Sequence, residues 1–109
     1  MPTLFGIRLP DKEFRYRSRS VPGSATDIST DTTWVTSIRI ANRTGSAATI
    51  TLTDKDGTPF EYYTAVSVPA NGVVNERIAT PLKFVGGISI TAGTADALTA
   101  EIFGWQDPS

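Results

Sequence analysis

From Trp34 onward the sequence contains short runs in which apolar and polar residues alternate, and this pattern limits the fold more than any other feature. The clearest run has Ala48, Ile50 and Leu52 alternating with threonines, which is typical of a strand with one buried and one wet face. Similar short runs follow at a spacing of roughly ten residues, and turn residues separate them. The pattern predicts an antiparallel all-β domain, a β-sandwich of jelly-roll or immunoglobulin-like type.

Two breaks in the pattern carry strong turn signals. Asn71 followed by Gly72 readily accepts the positive φ values of a tight turn. The polar tract 42–46 also predicts a turn, so the runs on either side of it are expected to pair as a hairpin. Strict alternation in the earlier run places Trp34 on the same side as Ile38, which predicts a core position for this tryptophan.

Residues 1–33 lack the regular pattern and are predicted to form an N-terminal arm or long loop ahead of a sandwich domain at 34–109. Prolines at positions 10 and 22 interrupt this region, and the tract 22–33 is polar with little to bury. Apolar residues near the start would suit one edge strand of the sandwich: Leu4, Phe5, Ile7 and Leu9.

The arm contains the run KEFRYRSR at 12–19, whose four cations and one acid give a net charge of +3. In an extended chain Arg15, Arg17 and Arg19 project to one side, while Phe14 and Tyr16 project to the other. The run fits three roles: an edge strand with a solvated charged face, an arm docked on a neighbouring subunit, or a grip on nucleic acid. The last role is the least favoured, because the whole chain carries a net charge of −1.

Composition excludes several chemistries. Without cysteine there are no disulfides or thiolate ligands, and without histidine the commonest general base and transition-metal ligand are missing. The tract beginning at Asp54 lacks the twelfth-position carboxylate of a calcium loop and reads as a turn. We therefore expect no enzyme activity and no catalytic, cofactor or metal site. No export signal and no apolar run of about eighteen residues is found, so no membrane partner is expected.

Aromatic residues leave a second function open. Trp34, Trp105, Tyr62 and Tyr63 would suit a carbohydrate-binding platform, because aromatic faces stack on sugar rings. Trp105 lies close to the chain end and is expected to be exposed or at an interface.

The segment VSVPANGVVNERIATPLKFVGGISI at 66–90 resembles small virion structural proteins of tailed bacteriophages. In that pattern a strand ends in Pro-Ala-Asn-Gly, and a Pro-Leu-Lys-Phe turn leads through glycines into a further strand. The preceding IRIANRTGSAATITLTDKDGTP is similar to the first hairpin of such domains. The resemblance covers about residues 37–103 and none of the arm.

The resemblance implies a part of the virion, assembled in the cytoplasm of a bacterial host. A capsid decoration or cement subunit that binds and stabilises the major capsid lattice is favoured. The alternatives are a carbohydrate- or surface-binding module of a tail or fibre, and a tail or head–tail connector component. Self-association, as in a trimer, is a further expectation. Under this hypothesis Arg15, Arg17 and Arg19 pair with carboxylates of the partner. Phe14 and Tyr16 pack against the partner, and Trp105 contributes to the contact.

Overall fold

The computed structural model describes residues 12–56 and 60–106, together with two short strands nearer the N-terminus. The regular structure of these residues is entirely β. The strands are β1 (Thr3–Leu4), β2 (Ile7–Arg8), β3 (Lys12–Ser18), β4 (Thr26–Ser29), β5 (Thr33–Asn42), β6 (Ala48–Asp54), β7 (Phe60–Val68), β8 (Val73–Phe84), β9 (Ile88–Ala92) and β10 (Leu98–Gln106).

Two antiparallel four-stranded sheets pack face to face. The first sheet has the order β3-β10-β5-β8, and the second has the order β4-β9-β6-β7. Strand pairing is nested, since β3 pairs with β10, β4 with β9, β5 with β8 and β6 with β7. This nesting is the double Greek key of a jelly roll. The predicted antiparallel β-sandwich is confirmed, and of the two predicted types the strand order is that of the jelly roll.

The sandwich starts earlier in the chain than the alternation alone predicts. Strand β3 pairs with β10 along its whole length, from Lys12 opposite Gln106 to Ser18 opposite Ala100, and β4 pairs with β9. Strands β3 and β4, whose residues the proline breaks assign to an arm, therefore belong to the two sheets. Strands β1 and β2 pair with each other and add to neither sheet, while Phe5 and Leu9 lie outside the described residues.

Apolar side chains, most of them aliphatic residues of the two sheets, fill the space between the sheets. Burial of one such side chain stabilises the fold by about 1.5–3 kcal/mol, so this layer supplies most of the driving force. The largest fully buried side chains are Phe84, Ile38, Ile40, Ile50, Leu52, Ile88, Ile90, Leu98, Ile102, Val21 and Val35.

Strands β5 and β6 do not form the hairpin that the turn at 42–46 predicts. The turn carries the chain from the first sheet to the second, where β6 pairs with β7 and β9. Alternation specifies which side chains are buried but not which strand lies alongside. Buried Asn42 holds the crossing, because its Nδ2 donates to the carbonyl oxygens of Ser46 (2.8 Å) and Val68 (3.1 Å).

A buried carboxylate fixes the connection between β8 and β9. The two oxygens of Asp54 accept hydrogen bonds from the backbone N–H groups of Asp56 (3.0 Å), Val85 (2.8 Å) and Gly86 (2.9 Å). The loop after β6 and the loop after β8 are thereby joined through one side chain. The predicted turn at 69–72 is also present, with Asn71 at φ 55° and the Gly72 N–H donating to Pro69 (2.9 Å).

An irregularity in β5 reverses the expected position of Trp34. The registers with β10 and with β8 both shift at this point. Against β10 Thr36 is the one extra residue of β5, whereas against β8 the extra residues lie in β8, where 78–81 stand beside Thr36 alone. A bulge of one residue exchanges the two faces of a strand, so Val35 is buried and Trp34 turns to the outer surface. The predicted core position of Trp34 is therefore wrong. Opposite the bulge stands Gly104, where an added Cβ would lie 1.9 Å from the Trp34 carbonyl oxygen.

Candidate functional site

The outer face of the first sheet gathers most of the unusual side chains of the chain. Directly opposed residues of antiparallel strands share a face, so the pairing defines rows across β3, β10, β5 and β8. We call the following side chains, together with Arg19 beyond the end of β3, the arginine face: Glu13, Trp105, Trp34 and Lys83; Arg15, Phe103, Ser37 and Arg77; Arg17, Glu101, Arg39 and Asn75; Thr99, Ala41 and Val73.

Charge is distributed unevenly between this face and the rest of the protein. The face holds six cations and only two acids, Glu13 and Glu101, which gives it a net charge of +4. Because the whole chain carries −1, the remainder carries −5. A protein without a global positive field therefore has a local one, confined to one side of one sheet.

Aromatic rings lie in the two central strands of the arginine face, and cations cover two of them. Trp34 stands opposite Trp105, and the Lys83 Nζ lies 5.3 Å from the centroid of the Trp34 ring. The guanidinium carbon of Arg15 lies 4.9 Å from the centroid of Phe103. Cation–π contacts of this kind hold both members in place. The three rings are half-buried, so each presents part of its surface to solvent.

One end of the arginine face is a shallow cleft of about 560 Å³. Three arginines line it, and Glu101 is the one acid among the lining residues, with the Arg17 Nε 2.9 Å from its Oε2. Arg19 and Arg39 form no ion pair with any other residue that the structure describes. A net charge of +2 in a concave site favours binding of an anionic group.

The structure separates the predicted site residues into two sets. Arg15, Arg17 and Trp105 lie on the arginine face, with Arg19 at its end, as the alternation of β3 predicts for the arginines. Phe14 is only 6% exposed and belongs to the core, so the prediction that it packs against a partner is wrong. Half-buried Tyr16 also packs against the core. Both aromatic residues point inward because their side of β3 faces the second sheet.

Five contributors to this face were not among the residues predicted to bind a protein partner, although Trp34 was a candidate for the carbohydrate platform. They come from three distant segments that meet only through strand pairing: Trp34, Arg39, Arg77, Lys83 and Phe103. Alternation does place Arg39 on the side away from Ile38. Alternation does not give the strand order. That order sets β10 between β3 and β5 and so brings the arginines of β3 beside the aromatic rings.

The outer face of the second sheet has a different character. Its central strands present small hydroxyl side chains, which we call the threonine face: Thr49, Thr51, Thr53, Ser89 and Thr91. At one end of this face Lys55 forms an ion pair with Asp27. Thr51 Oγ1 accepts a hydrogen bond from the Ala65 N–H (3.0 Å), so part of this polarity is used within the sheet.

Two tyrosines link β7, an edge strand of the second sheet, to β8, an edge strand of the first. The Tyr62 ring packs on Phe84 with centroids 4.3 Å apart, and its hydroxyl donates to the Lys83 carbonyl oxygen (2.5 Å). The Tyr63 hydroxyl donates to the Glu76 carboxylate. Burial, and then the hydrogen bond and charge of Glu76, raise the pKa of Tyr63 far above its ordinary value. Both hydroxyls thus form hydrogen bonds within the protein, and we call this pair of tyrosines the seam between the two sheets.

Among residues 12–56 and 60–106, no group of three or more acidic, cysteine or histidine side chains could hold a metal ion. The described part of the chain also has no helix long and apolar enough to cross a membrane. No protein-family model, curated protein or solved structure matches the chain.

Proposed function

We propose that this chain is a non-enzymatic structural subunit of a bacteriophage particle, which docks on the major capsid lattice through the arginine face and stabilises it. The observation that carries the proposal is the concentration of three aromatic rings and six cations on one face of one sheet. Arginine, tryptophan and phenylalanine are the residues that protein interfaces favour, and tryptophan and arginine dominate binding hot spots.

The mechanics of the face suit docking. Its side chains stand on hydrogen-bonded strands rather than on loops, and Arg15 and Lys83 are already held over aromatic rings. Ordering such groups on binding therefore costs little conformational entropy. The excess of positive charge would steer the subunit toward an acidic lattice surface and set its orientation there.

The fold is compatible with this function but does not assign it. Jelly rolls occur in viral capsid proteins and in lectins, and one fold hosts many functions. The resemblance of residues 37–103 to small virion proteins of tailed phages favours the particle. Within the particle the capsid is favoured, and a tail or head–tail connector is the alternative.

Carbohydrate binding is the second candidate, and the adjacent pair Trp34 and Trp105 favours it. Two features weigh against a sugar platform. Lys83 covers one face of the Trp34 ring, and the hydroxyls of Tyr62 and Tyr63 are engaged within the fold. Glycan-array binding that disappears in Trp105→Ala, with shell binding absent, would establish this alternative.

Self-association is part of the proposal. Small subunits of this kind commonly associate into closed symmetric rings such as trimers, and the surface outside the arginine face stays free for contacts between copies when that face is docked. Light scattering across protein and salt concentrations measures this directly. A discrete oligomer is expected, and a strict monomer at high concentration would overturn this part.

The docking function is tested by cosedimentation of the purified protein with shells assembled from the major capsid protein of the same phage genome. The double variant Arg39→Glu with Arg77→Glu reverses two charges of the face, and Arg43→Glu is the matched control outside it. We expect at least about 30-fold weaker binding for the double variant, in line with the loss of a hot spot. Undiminished binding would overturn the proposal, and binding to tails but not to shells would support the connector alternative.

A further inference from the structure

We propose that the outer edge of β3 is the site at which the partner adds an extended, acidic strand to the first sheet. Alternate carboxylates of that strand would pair with Arg15 and Arg17 and enter the cleft beside Arg19 and Arg39. The inference rests on the proposed docking function, because it takes the partner to be a protein, and it specifies the chemistry of the partner segment.

The first observation is a free strand edge. Strand β3 is seven residues long, pairs with β10 without any register shift, and pairs with no other described strand. Its second row of backbone N–H and C=O groups is therefore available for pairing within the part of the chain that the structure describes. Regular, unpaired edges of this length are templates for strand addition, in which main-chain hydrogen bonds supply affinity.

The second observation is the charge pattern along the edge. Arg15 and Arg17 are more than half exposed and point to the same outer face. Side chains two positions apart in a strand are separated by about 6.8 Å. An added strand with two acids spaced two positions apart would repeat this spacing and set one carboxylate opposite Arg15 and the other opposite Arg17, which is a favourable cross-strand arrangement. Glu13, which lies 3.8 Å from Arg15 on the same edge, would call for an uncharged residue opposite it.

The cleft extends the pattern by one more position. The Glu101 carboxylate already forms an ion pair with the Arg17 Nε, which shows how a carboxylate binds in this cleft. Arg19 and Arg39 line the same cleft and have no ionic partner among the described residues. An acidic side chain at the end of the added strand would supply the missing counter-charge.

These two observations together select a protein strand over other occupants. A second copy of β3 would bring arginines opposite arginines, which is destabilising. Nucleic acid would satisfy the arginines, but it has no peptide groups to continue the sheet. An acidic extended segment uses both the free backbone edge and the alternating positive charge.

The test uses the full-length protein and a short peptide of alternating Val and Glu. Calorimetry measures its affinity, and hydrogen–deuterium exchange follows the amides of β3. We expect slower exchange in β3 on binding, and binding at least about tenfold weaker for a peptide with Gln in place of Glu. Arg17→Gln and Arg39→Gln should each weaken binding about two- to fivefold, whereas Arg43→Gln should leave it unchanged.

The proposal is overturned if the peptide leaves β3 exchange unchanged, or if Arg17→Gln and Arg39→Gln bind it as tightly as the unmodified protein. Tighter binding of an oligothymidylate of similar length would also overturn it, in favour of nucleic acid on the face. If shells bind but the peptide does not, docking stands and the β3 edge is not its site. If the peptide binds but shells do not, the edge site stands and the capsid is not its partner.

Discussion

On the outer face of the second sheet, small hydroxyl side chains cover β6 and β9, and two charged groups near it have partners within the protein. Lys55 pairs with Asp27, and buried Asp54 receives three backbone N–H groups. On the arginine face, Arg39 and Arg77 form no ion pair with any described residue. The arginine face thus holds cations without a counter-charge among the described residues, and this excess of positive charge is why function is proposed for that face.

The largest expected effect tests the charge that the fold uses. Asp54→Ala removes the acceptor of three backbone hydrogen bonds and leaves three partly buried N–H donors without it. We expect the free energy of unfolding to fall by about 4 kcal/mol, measured by urea denaturation followed by circular dichroism. Arg39→Gln is the contrasting variant, expected within about 0.5 kcal/mol of the unmodified protein. Equal losses in both would erase the distinction between the two kinds of charge.

The next effect concerns the bulge that turns Trp34 outward. Gly104→Ala places a methyl group against the Trp34 carbonyl oxygen and the Val35 backbone, so the strands must move apart. We expect a loss of about 2–3 kcal/mol in the free energy of unfolding. The control is Gly45→Ala, where an added Cβ meets nothing within 4 Å. A Gly104→Ala variant as stable as its control would mean that the bulge tolerates repacking.

The bulge also marks the limit of what the sequence could predict. Alternation was enough to predict an antiparallel sandwich, the buried side of β6 and the sidedness of the arginines in β3. It could not reveal that Thr36 is an extra residue, because a bulge is set by contacts with two neighbouring strands. The side of Trp34 was therefore predicted wrongly.

Strand order was the second feature that could not be predicted from the sequence. The first and last strands of the sandwich pair with each other, and no local pattern announces a contact between residues so far apart in the chain. Without that pairing, the run at 12–19 looks like a separate arm, and Phe14 looks free to meet a partner. Once β10 lies between β3 and β5, three dispersed segments form one face.

A smaller effect, on binding rather than on folding, compares the two faces directly. Trp34→Ala removes a half-buried ring from the arginine face, and we expect shell binding about 30-fold weaker, the loss typical of an interface hot spot. Thr53→Ala truncates a smaller side chain on the threonine face and should leave cosedimentation unchanged. If Thr53→Ala weakens binding as much as Trp34→Ala, the docking surface has been assigned to the wrong side of the sandwich.

The smallest effect lies at the seam between the two sheets, where Tyr62 and Tyr63 of β7 bond to β8. Burial and the Glu76 carboxylate raise the pKa of Tyr63, so the folded protein keeps this proton when the unfolded chain has lost it. The corresponding stability is present below the ordinary tyrosine pKa of 10.0 and declines as the pH rises above it. We expect Tyr63→Phe to flatten part of this alkaline decline in urea midpoints between about pH 9 and 11.

A residual slope in Tyr63→Phe is expected from Tyr62, because burial and the charge of Asp54 raise the pKa of that hydroxyl too. Glu76→Gln separates the two causes at Tyr63, since it removes the carboxylate charge and keeps an oxygen that accepts the hydrogen bond. An intermediate slope would show that the charge of Glu76 contributes beside burial. If the decline in Tyr63→Phe were as steep as in the unmodified protein, the seam would not titrate, and the two faces would be held together by the aliphatic core alone.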